Sequence, residues 1–183
     1  MPIHHGNDNC YDLETSFRGN QPQTHCKIKK PMTQLSDSIL APHLFGTEIT
    51  EQQLIENFRQ CKLWEDRYRQ LIGLARKLPP LADELKQQDI EMSGCENRVW
   101  LGHQLLADSR LHFYGDSEGR IVKGLLAVIL TAVEGKTPEQ VLQTPLAELF
   151  QQLGLEQQLS GSRLSGVKSL INTIQEIART YTN

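Results

Sequence analysis

The sequence predicts an α+β domain, a small antiparallel β-sheet packed against several α-helices. Three observations carry that prediction. Capped helical periodicity occupies residues 50–78. Two short segments rich in β-branched, aromatic and aliphatic residues follow at 99–106 and 111–115. Helical periodicity then returns and continues to the C-terminus.

Taken in order, Thr50 and Gln53 form a capping box opening a helix that carries Leu54, Ile55 and Phe58. Trp64, Tyr68, Leu71, Ala75 and Leu78 recur at helical spacing, and Pro79-Pro80 ends that helix. Residues 81–93 read as a short helix and a loop. The two β-rich segments are joined by Ala-Asp-Ser-Arg, a hairpin connection. After Gly-Asp-Ser-Glu-Gly-Arg, the stripes Ile121/Leu125/Val128/Ala132 and Val122/Leu126/Ile129/Val133 adjoin each other, so this helix should lie in the core and cover the sheet. Gly135 is its expected stop. Thr137-Pro138 and Thr144-Pro145 each place a capping hydroxyl before a proline at the first helical position. Leu164, Val167, Ile171, Ile174, Ala178 and Tyr181 mark a long amphipathic C-terminal helix.

Residues 1–31 show no helical or strand period and are poor in aliphatic side chains. They are expected to form a disordered extension, upstream of a start at Met32, with 32–183 as the single folded domain. His4, His5, Cys10, His25 and Cys26 lack the close, repeated spacing of zinc modules, so no metal site is assigned. The net charge of −3 excludes an electrostatic case for direct nucleic-acid binding. No apolar run has the length of a bilayer span, and no apolar stretch follows a basic start, so neither a membrane nor a secretory role is expected. Four scattered cysteines do not make a disulfide scaffold, which leaves the reducing cytoplasm as the expected compartment.

Candidates for chemistry are few. Glu134-Gly135-Lys136-Thr137 imitates the end of a phosphate loop, but Leu130 stands where its first glycine belongs and a helix precedes it, so capping is the reading. His103 and His112 occupy opposite arms of the hairpin and read as surface strand histidines. At an extended rise, His103 is roughly 26 Å along the chain from Cys95. Cys61, at a helical junction beside Trp64, reads as a packed, inert thiol, with a redox partnership with Cys95 as the alternative. Cys95 differs in setting. It follows Ser93-Gly94 and precedes Glu96-Asn97, a polar segment before a strand. Gly94 frees the backbone and removes a side chain beside the thiol. Glu96 would disfavour the thiolate, and Arg98 or a more distant arginine would favour it. The residues alone make Cys95 a reactive or ligand thiol on a loop.

The motifs SGCENRVW, GDSEGRIVKGLLAV, WEDRYR followed by LIGLARKLP, and Ser162-Arg163-Leu164-Ser165-Gly166 together resemble the SufE/CsdE family of sulfur-acceptor proteins, closest to the CsdE branch, from about Phe45 to the last helix. The resemblance implies a SufE/IscU-like fold and a carrier role rather than an enzyme. Cys95 would take persulfide sulfur from a pyridoxal-phosphate-dependent, CsdA-like cysteine desulfurase and stimulate it. The sulfur would go on to iron–sulfur cluster assembly or to a related sulfur-pathway or tRNA-modifying protein. The protein itself would hold no cofactor and no metal. Gly94, Asp116 and Arg163 are expected to support the Cys95 loop over a hydrophobic recess walled by the hairpin and the 115–120 turn. A thiol redox protein using Cys95 with Cys61, or a non-catalytic adaptor, are the alternatives.

Overall fold

A computed structural model describes residues 39–92 and 97–182. The expectations for residues 1–31, and those for Gly94 and Cys95, therefore lie outside the described residues. Among the described residues the elements are α1 (Glu51–Arg59), α2 (Trp64–Lys77), β1 (Val99–Leu105), β2 (Leu111–Ser117), α3 (Arg120–Val133), α4 (Pro138–Gln143), α5 (Leu146–Gln152) and α6 (Gly161–Thr180). The order is helices, one antiparallel hairpin, then helices, which is the α+β class expected from the sequence.

Local chemistry accounts for most boundaries. Thr50 and Gln53 cap α1 reciprocally, at 3.3 Å and 2.9 Å. The prolines that follow Leu78 stop α2. Gly135 turns the chain with φ 65°, in the left-handed region where a glycine carries no Cβ penalty. Thr137 caps α4 through Gln140. Two expectations are corrected. In the segment expected to open with a short helix, residues 81–92 hold two short 3-10 turns, Asp83–Leu85 and Gln88–Ile90, instead of an α-helix. Thr144 does not cap α5; Pro145 occupies the cap position and the Thr144 hydroxyl donates back to the Gln140 carbonyl at 2.8 Å. With its hydrogen given to Gln140 and its oxygen accepting from Lys136 Nζ at 2.9 Å, that hydroxyl is held at the end of α4.

The centre is α3. Every residue from Gly124 to Val133 is buried, and the helix packs against α1, α2, β2 and α6. Gly124 makes the α2 contact possible: a Cβ there would sit 2.3 Å from the Leu71 carbonyl oxygen. The hairpin pairs Val99 with Ser117 through to Leu105 with Leu111. One face presents Val99, Leu101, Leu111 and Phe113 to the α3 core. The other presents Trp100 and Tyr114, which are covered by Leu81, Ala41, Leu85 and Ile90. With both faces covered, β2 is buried along its whole length. His112 is therefore 1% exposed, which corrects its reading as a surface histidine. His103 is half-buried on the other face, its Nε2 3.0 Å from the Tyr181 hydroxyl.

Candidate functional site

Cys95 lies outside the described residues, between Met92 and Asn97, and what holds those two points is described. The Met92 amide donates to the Val99 carbonyl at 2.8 Å, and Glu91 bridges antiparallel to Trp100. The incoming and outgoing chains are thus paired as a third short rung beside β1. Arg98 adds a second tie across the same neck. Its Nε and Nη2 donate to Oε1 and Oε2 of Glu91, both at 2.8 Å. This fork-on-fork geometry is the strong form of an ion pair. Arg98 holds the Glu91 carboxyl below its ordinary range, and the Glu91 carboxylate raises the guanidinium in turn.

On the return side, the Asn97 side chain lies against Gly119, the residue preceding α3. A Cβ on Gly119 would sit 2.7 Å from Asn97 Cγ, so only glycine lets Asn97 approach α3 this closely. The Arg98 carbonyl accepts from the Glu118 amide at 3.2 Å and from the Ser117 hydroxyl at 3.0 Å. Ser117 Oγ in turn accepts from the Gly119 amide. The segment therefore returns onto the N-terminal end of the central helix, where exposed amides favour negative charge.

Beside the neck, two cations lie over the Trp100 ring, with Arg98 4.8 Å from the ring centroid and Lys86 Nζ 5.2 Å from it. Its cross-strand partner is Asp116. That buried carboxylate accepts from Lys123 Nζ at 2.7 Å, the Ser117 amide at 2.8 Å, the Leu81 amide at 3.1 Å and Lys86 Nζ at 3.2 Å. Burial alone would raise its pKa, but Lys123, the Leu81 amide and Lys86 outweigh burial and lower it. Asp116 thus ties β2 to the 81–86 segment and to α3.

Arg163 sits on α6, in a small recess lined by Val122, Leu125, Gly166, Val167 and Leu170. Its Nη1 donates to the Tyr68 hydroxyl at 3.5 Å, while its buried Nε has no hydrogen-bond partner among the described residues. Asp116 and Arg163 are not in one cluster; they flank the N-terminal half of α3, through Lys123 and Val122 respectively. Cys61 is a buried free thiol whose Sγ donates to the Asn57 carbonyl at 3.5 Å. Burial pushes that thiol up.

Glu91, Lys86, Lys123 and Trp100 were not singled out from the sequence. Glu91 and Arg98 are seven residues apart, a spacing that means nothing until the chain is known to return on itself. One group of metal-binding residue types exists among the described residues, His43, His112 and Glu134, on the same hairpin face as Trp100 but toward its other end.

Comparisons with known proteins bear on this geometry. The chain matches the SufE family, described as an Fe-S metabolism associated domain, over residues 52–178. It is 56% identical over 135 residues to the sulfur acceptor protein CsdE of Escherichia coli (strain K12), covering 73% of this chain and 91% of that relative. The solution structure of a hypothetical protein from Thermus thermophilus superposes with a TM-score of 0.58 at 22% identity, covering 72% of this chain and 94% of the other, a likeness of fold. Among the described residues, no helix is long and apolar enough to cross a membrane.

Proposed function

The chain belongs to the SufE family, and from that premise we propose that it is a sulfur acceptor and carrier in which Cys95 receives persulfide sulfur from a pyridoxal-phosphate-dependent cysteine desulfurase. The observation that carries the reading is the 56% identity to a sulfur acceptor protein over 91% of that relative's length. The Cys95 thiolate attacks the terminal sulfur of the desulfurase persulfide. The partner's S–S bond breaks, its cysteine leaves as a thiolate with the bonding electrons, and Cys95 becomes the persulfide. No oxidant or reductant is consumed.

The described surroundings support that role. A relay thiol must be presented to another protein while its chain ends stay fixed, and the Met92–Val99 and Glu91–Arg98 ties fix both ends. Return of the chain to the start of α3 favours an anionic sulfur nearby. Asp116 and Arg163 are proposed as supports, Asp116 through the hairpin end opposite Trp100 and Arg163 through the recess beside α3. Residues 32–183 are proposed to carry the activity, in the cytoplasm. Delivery onward is proposed to iron–sulfur cluster assembly or a related sulfur or tRNA-modification pathway. The redox alternative through Cys61 is less supported, since that thiol is buried and bonded to its own helix end.

Mass spectrometry after incubation with a desulfurase and cysteine tests the proposal. The intact chain should gain one sulfur atom at Cys95, and Cys95→Ser should gain none and no longer stimulate the desulfurase. Sulfur uptake by the folded Ser variant at the wild-type level would overturn it.

A further inference from the structure

Residues 39–45 cross the Trp100/Tyr114 face of the hairpin as a strap before burying Phe45 in the main core. The strap is held by two histidines and by Gln104, whose Oε1 accepts from the Leu40 amide at 2.9 Å. His112 Nδ1 is 2.6 Å from Glu134 Oε1, and His112 Nε2 is 2.6 Å from the Leu40 carbonyl oxygen. His43 Nε2 is 2.7 Å from the Phe113 carbonyl oxygen, and His43 Nδ1 accepts from the Phe45 amide at 3.2 Å. Glu134 Oε2 accepts from the Phe113 amide at 3.1 Å.

These contacts fix the protonation states. A carbonyl oxygen has no hydrogen to give, and neither does a carboxylate. Both ring nitrogens of His112 must therefore donate, which makes it an imidazolium. His43 must keep Nδ1 bare to receive the Phe45 amide, so its hydrogen is on Nε2 and the ring is neutral. Although His43, His112 and Glu134 have the residue types of a metal site, every ring nitrogen is already engaged by the protein. The group closes through protons.

We propose that His112 is a proton-operated clamp: as the imidazolium it locks the strap to Glu134 and the hairpin, and on losing its proton it releases the strap at Leu40. The release has a direction. A neutral His112 keeps one hydrogen, and facing a bare nitrogen to the Glu134 carboxylate costs more than facing it to a carbonyl. The Nδ1 hydrogen therefore stays with Glu134, and the Leu40 carbonyl is left opposite a lone pair. Ala41, next in the chain, has φ 47°, a conformation that costs a non-glycine residue energy and that the clamp helps to hold. Since Ala41 covers the Trp100/Tyr114 cluster, release uncovers the back of the hairpin.

The groups facing His112 are accounted for on every side. Glu134 comes from α3 and neutral His43 from the strap; the Tyr114 ring of β2 stacks at 6.0 Å and 29°, and uncharged Gln104 is the cross-strand partner on β1. On the adjoining turn, Arg110 donates to the Gly135 carbonyl and Lys136 to Thr144. Burial by itself lowers the proton affinity of His112, but Glu134 and the strap carbonyls outweigh it and raise it. The clamp is therefore complete below the ordinary histidine value of about 6.5 and is lost as pH rises through the higher value in the fold. This inference stands on the strap and hairpin alone and does not depend on the sulfur-acceptor reading.

Nitrogen-detected histidine NMR on the full chain, combined with amide hydrogen exchange, tests it. At neutral pH both His112 nitrogens should be protonated while His43 shows a single Nε2-hydrogen tautomer. Raising pH through the His112 midpoint should speed exchange at Leu40 and Phe45 by about tenfold beyond the intrinsic pH effect. Glu134→Gln should lower that midpoint by about one unit or more, and Ala41→Gly should slow strap exchange without changing the charge on His112. If Glu134→Gln fails to fold, the wild-type titration alone decides. A neutral His112 at pH 7, strap exchange indifferent to its midpoint, or zinc shifting both histidine signals at stoichiometric addition would each overturn the clamp.

Discussion

Glu91 and Arg98 face each other across the neck of the Cys95 segment, joined by two parallel hydrogen bonds of 2.8 Å. Arg98 also lies over the Trp100 ring, so one guanidinium both closes the neck and caps the platform beneath it. The pair is solvated, and solvated pairs contribute little to global stability. Its value is geometric. Glu91→Gln should leave the melting temperature nearly unchanged while slowing sulfur uptake from the desulfurase several-fold, as expected when a reacting group is positioned less well. The reversed pair Glu91→Arg with Arg98→Glu should recover part of the rate. Equal rates in the wild type and Glu91→Gln would remove the neck from the transfer.

Asp116 governs stability in acid. Its proton affinity is lowered in the fold, so the unfolded chain takes up the proton first as pH falls. The stabilisation is complete above about pH 4 and disappears as pH drops through the folded value. Asp116→Asn, which leaves Lys86 and Lys123 without their shared anion, should cost about 2–4 kcal/mol at neutral pH in denaturant unfolding. The variant should also lose part of the acid sensitivity seen in the wild type as pH falls from about 5 to about 3. A wild-type acid profile in the variant would refute this assignment.

Two glycines separate packing from propensity. Gly124→Ala places a methyl 2.3 Å from the Leu71 carbonyl oxygen, and α2 or α3 must move. The cost should be about 1–3 kcal/mol or more. Gly73→Ala, in the same helix pair, meets no atom within 4 Å. It should be neutral or stabilise the protein by up to about 1 kcal/mol through helix propensity. Equal effects of the two substitutions on the melting temperature would contradict the close α2–α3 approach.

Cys61→Ser should fold and keep most of the sulfur uptake. Its thiol is buried against the end of α1 with its proton retained, so the substitution exchanges one hydrogen bond to Asn57 for another at a cost of about 1–2 kcal/mol. Complete loss of uptake by a folded Cys61→Ser variant would restore the two-cysteine redox reading.

Local signals determined much of this molecule from the sequence alone. The Thr50–Gln53 box, the Pro79-Pro80 stop, the double apolar stripe of α3 and the turn after Leu106 act through residues a few positions apart, so the α+β class and most helices were legible. What the tertiary structure alone decided was which side chains meet across long loops. His112 alternates correctly for an exposed strand position, yet the strap from residues 39–45 covers that face and buries it as half of an ion pair with Glu134. Asp116 carried a motif but no visible partners; Leu81, Lys86 and Lys123 reach it from two different elements. Thr144 had a capping sequence but bonded backward to Gln140. For His112 and Asp116 the partners were nonlocal, and for Thr144 a carbonyl of the preceding helix competed with the next one. Periodicity records which residues avoid water along one element, while the identity of their partners is set only when separate elements pack together.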